Sequence, residues 1–88
     1  MTVDLVYPPD EIAVRFHHRL VAIHPFPNGN GRHARLMADL LVERLGRPRF
    51  TWGRQSLVDA GDTRKRYIAA LQAADARDMT PLQAFARS

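Results

Sequence analysis

The segment from Gly31 to Leu45 constrains the fold of this 88-residue chain more than any other. Its eight apolar residues lie round almost the whole circumference of a helix: Ala34, Leu36, Met37, Ala38, Leu40, Leu41, Val42 and Leu45. A helix that is apolar on nearly all sides belongs in the centre of a fold. Gly46 and Pro48 are typical of a helix end. We therefore predict a central helix over about Gly31–Leu45, with the rest of the chain packed round it.

Three other segments have helical patterns. The first begins at Asp10, after two prolines, and ends before Pro25, since a residue that precedes proline avoids the helical region. We expect its buried stripe to be Ile12, Phe16, Leu20 and Ile23. The second is predicted over Thr63–Ala76, with an apolar stripe of Tyr67, Ile68, Leu71 and Ala74.

A last short helix is predicted to open at Thr80-Pro81-Leu82-Gln83, which fits a capping box with proline at the first helical position. Leu82 and Phe85 are its expected core residues, and Trp52, in the connector before the third helix, is expected in the core as well. The whole chain is therefore interpreted as one all-α domain, a small helical bundle.

The charge pattern favours an anionic partner. There are 13 basic and 9 acidic residues, a net charge of +4, and Lys65 is the only lysine. Arginine forks suit phosphate and carboxylate, so a nucleotide or a nucleic acid would fit, although an arginine-rich proteome gives the same composition. The run Arg64-Lys65-Arg66 is expected to be a solvated face.

Composition also bears on the compartment. The chain has no cysteine, which excludes disulfides and thiolate zinc sites and favours the cytoplasm. The longest mostly apolar stretch, Leu36–Val42, contains Asp39 and is too short to span a bilayer, so no membrane partner is expected.

The stretch His24–Arg35 contains the residues that suggest chemistry. Gly29-Asn30-Gly31 comes directly before the central helix, where unpaired N–H groups and the helix dipole favour an anion. Arg32 and Arg35 are three residues apart, so their side chains share a face and lean back toward the glycines. Such an arrangement fits a polyphosphate better than a single carboxylate.

His24 precedes this glycine-rich segment and has the pKa range of a general base. Phe26 is the only large apolar residue of the loop and is interpreted as its structural anchor. Each feature has a simpler explanation: the glycines as a turn and cap, His24 as a partner of the helix dipole, and the arginines as solvated charges. The conjunction of all of them within twelve residues favours phosphoryl or nucleotidyl transfer.

The sequence from His24 to Arg35 resembles the signature of the Fic (filamentation induced by cAMP) domain family, H-x-F-x-[D/E]-G-N-G-R-x-x-R. Seven of the eight specified positions match. Three more segments are similar to the branch of this family called mobile mystery protein B: Tyr7-Pro8-Pro9-Asp10-Glu11, Thr51-Trp52-Gly53, and the run from Thr80-Pro81-Leu82 to Phe85-Ala86-Arg87-Ser88. The resemblance implies a partial Fic domain over residues 1–88, its C-terminal part, with a Fic-like helical fold.

The resemblance also implies a chemistry, transfer of AMP from ATP to a hydroxyl of a target protein (AMPylation). By resemblance, His24 takes the proton from the attacking hydroxyl. The segment Gly29, Asn30 and Gly31 forms the anion hole for the nucleotide phosphates. Arg32 and Arg35 contact the outer phosphates, and Phe26 packs into the core.

Two departures from the family pattern bear on activity. Asn28 stands where the family has an acidic residue for Mg²⁺, and an amide oxygen is a weaker ligand for a hard cation. Weaker metal binding, a changed donor and lost catalysis all remain open. The family's N-terminal β-hairpin flap and first helices have no counterpart before His24, which would leave a target hydroxyl unaligned and apolar surface bare.

The departures keep a second class of function open. This is a catalytically inactive module that binds a nucleotide or a partner, of the toxin–antitoxin type, with an antitoxin or a second copy as the expected partner. A third reading, a small nucleic-acid binder, explains the charge but leaves the His24–Arg35 loop without a purpose. A metal site from His17, His24 and His33 lacks a completing carboxylate or cysteine, so His17 and His18 are expected at the surface or half-buried.

Overall fold

The computed structural model describes residues 7–23, 30–55 and 59–88, and in these ranges the chain forms four α-helices and no strand. The helices are α1 (Pro9–Ile23), α2 (Asn30–Arg44), α3 (Ala60–Asp75) and α4 (Thr80–Ala86). Helix α1 packs along α2, α3 packs against α4, and α1 also contacts α4. The predicted all-α class is confirmed. None of the four helices has both the length and the apolar character that crossing a membrane requires.

The predicted central helix is present within one residue of its expected start and end. Its C-terminus closes with Gly46 at φ 87°, a left-handed conformation that suits glycine. The N–H of Gly46 donates to the Glu43 carbonyl at 3.0 Å, and the N–H of Arg47 donates to the Val42 carbonyl, also at 3.0 Å. These two bonds form a Schellman motif, so the sequence signal at Gly46 is a true helix stop.

The buried face of α1 is not the predicted stripe. Ala13, Val14 and His17 are fully buried, whereas Ile23 is 61% exposed and the other three stripe residues are only half-buried. The distance between two packed helices depends on the side chains at their contact, and small residues permit the closest approach. Apolar spacing alone favoured the larger side chains and therefore misplaced the face.

Helix α2 is enclosed on one side only in the described part of the chain. Ala34, Ala38 and Val42 are fully buried, while Leu36 and Leu40 are 48% and 41% exposed. We expected burial round most of the circumference. Two of these three fully buried residues are alanines, and the buried face of α1 likewise includes Ala13 beside Val14 and His17.

The core is completed by the connector after α2 and by α4. Phe50 and Trp52 are buried, as are Leu82 and Phe85, so the predictions for Trp52 and for the core residues of α4 are confirmed. The backbone N–H groups of Thr51 and Trp52 both donate to the Ala86 carbonyl, at 2.8 and 2.9 Å. These bonds fix the connector to the end of α4.

The start of α4 differs from the prediction. Thr80 is the first helical residue, Met79 is the N-cap, and the cap makes no side-chain hydrogen bond, so the predicted capping box is wrong. Asp78 takes over part of this role, because its Oδ1 accepts a hydrogen bond from the Thr80 N–H at 3.1 Å. Pro81 does occupy the first turn, as expected.

Helix α3 begins three residues earlier than predicted. Asp59 is its N-cap and accepts a hydrogen bond from the N–H of Asp62 at 2.9 Å. The helix buries Ala70 and Ala74, while Ile68, expected in the stripe, is 42% exposed. Arg64, Lys65 and Arg66 are exposed, which confirms the solvated basic face.

Arg87 ties the end of the chain to α1 and to the connector. Its guanidinium makes a two-pronged ion pair with Asp10, Nη2 to Oδ1 at 2.6 Å and Nε to Oδ2 at 2.8 Å. The Nη1 group donates to the carbonyls of Pro48 and Arg49 at 2.8 and 3.1 Å. The hydrogen bond from Arg87 is the main reason why the pKa of Asp10 lies below its ordinary value.

Candidate functional site

The signature loop joins the two helices that pack side by side. Residues 24–29 lie outside the described residues, so the roles given to His24, Phe26, Asn28 and Gly29 stay predictions. The structure describes both ends of this loop. Helix α1 ends at Ile23 and α2 begins at Asn30, so the six-residue segment connects the C-terminus of one helix to the N-terminus of the next.

The N-terminus of α2 is suited to an anion. Its first turn contains no acidic residue, and the amides of a first helical turn have no partner within the helix. Arg32, in this turn, is exposed. Arg35 is half-buried and lies beside Gly31: a Cβ at position 31 would be 3.3 Å from Arg35 Nη1. The absence of that carbon lets the guanidinium approach the helix start.

Tyr67 of α3 lies on the other side of Arg35. The guanidinium carbon is 5.4 Å from the centre of the phenol ring. The phenol hydroxyl would be 3.7 Å from a Cβ at position 31, so the hydroxyl and the guanidinium both border Gly31. Burial raises the pKa of Tyr67, and the charge and N–H groups of Arg35 oppose this rise. The phenol therefore keeps its proton at neutral pH.

His17 of α1 lies behind Tyr67. Its Nε2 is 2.7 Å from the Tyr67 hydroxyl, and its ring centre is 4.6 Å from that of Trp52. Burial lowers the pKa of His17 to about 4, helped by the charges of Arg35 and His18, while the backbone of Ala34 acts in the opposite direction. His17 is therefore a neutral hydrogen-bonding group at pH 7.

The expectation that His17 lies at or near the surface is wrong, whereas His18 is half-buried as expected and pairs with Asp75 at 2.7 Å. The sequence does contain a signal for His17. It follows Ala13 by four residues and so shares the face of small residues that α1 turns inward. Tyr67 was expected in the core, but its contact with Arg35 could not be inferred from one helix alone.

Among the half-buried arginines of the described ranges, Arg15, Arg35 and Arg87, only Arg35 has no carboxylate partner there. Glu11 holds Arg15, Glu43 holds Arg49 and Asp10 holds Arg87. Neither Arg32 nor Arg35 has such a partner among residues 7–23, 30–55 and 59–88. Two unneutralised guanidinium groups at the start of α2 can bind a ligand of high negative charge.

No metal site is apparent in the part of the chain that the structure describes. There, no three histidine or carboxylate side chains come together as ligands. Mg²⁺ prefers several oxygen ligands in octahedral geometry and often receives most of them from phosphates and water. Any Mg²⁺ site formed with Asn28 stays a prediction.

Comparison with known proteins identifies relatives of this chain. The model of the Fic/DOC family matches residues 3–42, which include α1, the signature loop and most of α2. The "Protein adenylyltransferase fic-1" of Caenorhabditis elegans is 38% identical over 77 residues, 88% of this chain and 14% of that protein. The chain belongs to the Fic/DOC family.

Other relatives and a solved structure extend the match of this Fic chain. The "Protein adenylyltransferase Fic" of Aedes aegypti is 35% identical over 91% of the chain and 15% of its own length. The solved structure "Fic-1 (aa134 - 508) from C. elegans" superposes with a TM-score of 0.72 at 35% identity, over 94% of this chain and 23% of that chain. The Fic chain thus spans about a seventh of the length of the curated relatives it matches.

Proposed function

We propose that this Fic chain is the nucleotidyl-transferase core of a protein adenylyltransferase, which transfers AMP from ATP to a hydroxyl of a target protein. The observation that supports it most directly is Arg35, which is half-buried at the start of α2 and has no carboxylate partner in the described ranges. A partly buried, unneutralised guanidinium is costly unless it meets an anion. The names of the curated relatives give the class of reaction.

The proposed chemistry is a displacement at the α-phosphorus of ATP. The target hydroxyl oxygen forms a bond to this phosphorus, the bond to the pyrophosphate oxygen breaks, and His24 takes the hydroxyl proton. Arg32 and Arg35 neutralise charge on the departing pyrophosphate. The backbone N–H groups of Gly29, Asn30 and Gly31 donate hydrogen bonds to the other phosphate oxygens, and positioning and electrostatics supply the rate enhancement.

In the part of the chain that the structure describes, the side chains do not by themselves make a magnesium site. Asn28 offers one neutral amide oxygen where the family pattern has a carboxylate, and the first turn of α2 contains no acidic residue. Mg²⁺ would therefore arrive with ATP, held mainly by phosphates and water. In the proposed displacement, the proton transfer and the phosphate contacts are all assigned to residues of the chain.

Asn28 also supports a second candidate function, a module that binds a nucleotide without transferring it. Loss of the carboxylate at this position weakens the metal contribution to catalysis but leaves the arginines and the helix terminus intact. In that case nucleotide binding would regulate a partner, either an antitoxin or a second copy of the chain.

Two measurements separate the proposals. Isothermal titration with ATP and Mg²⁺ tests the site, and the expected outcome is binding that Arg35→Ala weakens and the surface variant Arg64→Ala does not. Transfer of label from α-labelled ATP to protein, compared between the native protein and His24→Ala, tests catalysis. Binding without His24-dependent labelling would support the inactive module, and no ATP binding at millimolar concentration would refute both.

A further inference from the structure

We infer that Tyr67 is a positioning residue for Arg35: its hydroxyl, itself held by His17, keeps the Arg35 guanidinium at the N-terminus of α2. The inference rests on the proposed function insofar as it takes Arg35 to bind the outer phosphates of ATP. Tyr67 lies 32 residues after Arg35 and outside the signature, so the family pattern gives it no role.

The three side chains form a continuous line from the core to the start of α2. His17 is fully buried on α1, Tyr67 is half-buried on α3, and Arg35 is half-buried on α2. The Tyr67 hydroxyl is 2.7 Å from His17 Nε2, and both this hydroxyl and Arg35 Nη1 lie within 4 Å of the position that a Cβ on Gly31 would occupy. Three different helices therefore contribute to the placement of one guanidinium.

The direction of the hydrogen bonds follows from what each group can donate. A guanidinium only donates, so in the contact that we infer Arg35 is the donor and the Tyr67 oxygen is the acceptor. The single hydroxyl proton of Tyr67 is then free to be donated to His17 Nε2. The proton of the neutral His17 ring is then on Nδ1, a buried atom that has no hydrogen-bond partner in the described part of the chain.

The line also leaves Arg35 without a carboxylate partner in the described ranges. Asp10 neutralises Arg87 through two short hydrogen bonds, and a guanidinium held in that way is not available to a ligand. A phenol and a neutral imidazole orient Arg35 without neutralising it. A neutral acceptor is therefore better suited than a carboxylate to an arginine that must meet phosphate.

The first experiment needs no ligand. In the native protein, the guanidinium N–H resonances of Arg35 in a ¹⁵N–¹H NMR spectrum are expected to be sharp and protected from exchange with water, and Tyr67→Phe is expected to remove this protection. Tyr7→Phe is a matched control, because it removes a phenol hydroxyl whose ring also lies under an arginine, Arg15, at 4.0 Å. Equal protection of Arg35 in the native protein and in Tyr67→Phe would overturn the inference.

The second experiment measures nucleotide affinity in a double-mutant cycle. Tyr67→Phe is expected to lower the affinity for ATP about tenfold and the affinity for AMP less than about twofold, since AMP lacks the outer phosphates. In an Arg35→Ala background the same substitution is expected to change ATP affinity by less than about twofold. A merely structural defect would lower the affinity for both nucleotides in both backgrounds. That result would contradict the inference that Tyr67 positions Arg35.

The two experiments also separate the inference from the proposed function. If the native protein binds no ATP, the proposed function fails, and the NMR comparison alone decides whether Tyr67 orients Arg35. If ATP binds and Tyr67→Phe leaves its affinity unchanged, the proposed function stands and the inference fails. Circular dichroism and thermal unfolding are measured first, to show that each variant is folded before its NMR spectrum and its nucleotide affinities are interpreted.

Discussion

The indole N–H of Trp52 donates a hydrogen bond to Oδ1 of Asp39 at 2.9 Å, and this bond joins the connector to α2 inside the core. The same oxygen accepts the backbone N–H of Phe50 at 3.3 Å. Asp39 is the acidic residue that interrupts the apolar pattern of α2, and its side chain is buried. A buried carboxylate that serves two buried donors is a structural element of this fold.

Replacement of Asp39 by alanine should therefore destabilise the protein strongly. The N–H groups of Trp52 and Phe50 would both lose their acceptor in the core, and we expect the free energy of unfolding to fall by about 2–4 kcal/mol. Urea unfolding followed by circular dichroism measures it. Asp39→Asn keeps an acceptor oxygen and should cost clearly less; equal losses in the two variants would contradict this role.

The stability of the protein should depend on pH through His17. Its pKa is about 4 in the folded protein and 6.5 in a model peptide, so the unfolded chain binds more protons between these values. The stabilisation that comes from neutral His17 is complete above pH 6.5 and is lost as the pH falls from 6.5 toward 4. We expect the free energy of unfolding to decrease by about 3 kcal/mol across this window.

Urea unfolding at half-unit intervals of pH tests this expectation. In His17→Gln the group at position 17 does not titrate, so the slope between pH 6.5 and 4 should become much flatter. Asp10 acts in a separate window, because its pKa is below the ordinary 3.8 and its contribution is lost only as the pH falls below that value. An unchanged slope in His17→Gln would show that another group carries the pH dependence.

The substitution Asn28→Asp should restore the metal contribution to catalysis. A carboxylate binds Mg²⁺ more strongly than an amide does, so AMP transfer is expected to rise severalfold and to reach half-maximum at a lower Mg²⁺ concentration. The measurement is labelling by α-labelled ATP over a range of Mg²⁺ concentrations. The double variant with His24→Ala is the control; an identical Mg²⁺ response in the native protein and in Asn28→Asp would mean that position 28 does not face the metal.

Replacement of Arg77 by glycine should stabilise the protein. It ends α3 at φ 69°, where its N–H donates to the Ala74 carbonyl at 2.9 Å in the same motif that Gly46 completes at the end of α2. The left-handed conformation strains a residue with a Cβ and not glycine. We expect Arg77→Gly to raise the free energy of unfolding by about 0.5–1 kcal/mol.

Gly46→Ala is the reverse control for Arg77→Gly, because it adds a Cβ at a left-handed position where Arg77→Gly removes one. A Cβ at position 46 would meet nothing within 4 Å, so the added methyl group would cost only the strain of φ 87°. We expect a loss of about 1 kcal/mol in thermal or urea unfolding. A gain in stability at position 46, or a loss at position 77, would contradict the assignment of strain to these backbone angles.

Local signals in the sequence were sufficient for the positions of the helices. The prolines at positions 8 and 9 and the glycine at position 46 started or ended helices close to where they were expected, because these residues restrict the backbone whatever surrounds them. The capping box at Thr80 failed, because Asp78, two residues earlier, competes for the same backbone N–H. The all-α class and the order of the helices could therefore be predicted from interactions between residues that are close in the sequence.

The buried face of a helix was less predictable than the position of the helix along the chain. The apolar stripe Ile12, Phe16, Leu20 and Ile23 satisfies helical spacing, but packing on α2 selected Ala13, Val14 and His17 instead. Which side of a helix is buried depends on the shape of its partner, and the pattern of one helix contains no information about the other. The same reason explains why His17 was expected near the surface.

The sequence by itself determined the all-α class, the central helix and the placement of two arginines at its start, since these depend on residue spacing along one segment. Only the tertiary structure decided that Arg35 is half-buried beside Tyr67 and that His17 supports Tyr67 from α1. Those contacts join residues 32 and 50 positions apart, and the relative placement of α1, α2 and α3 that creates them arises from packing in the core.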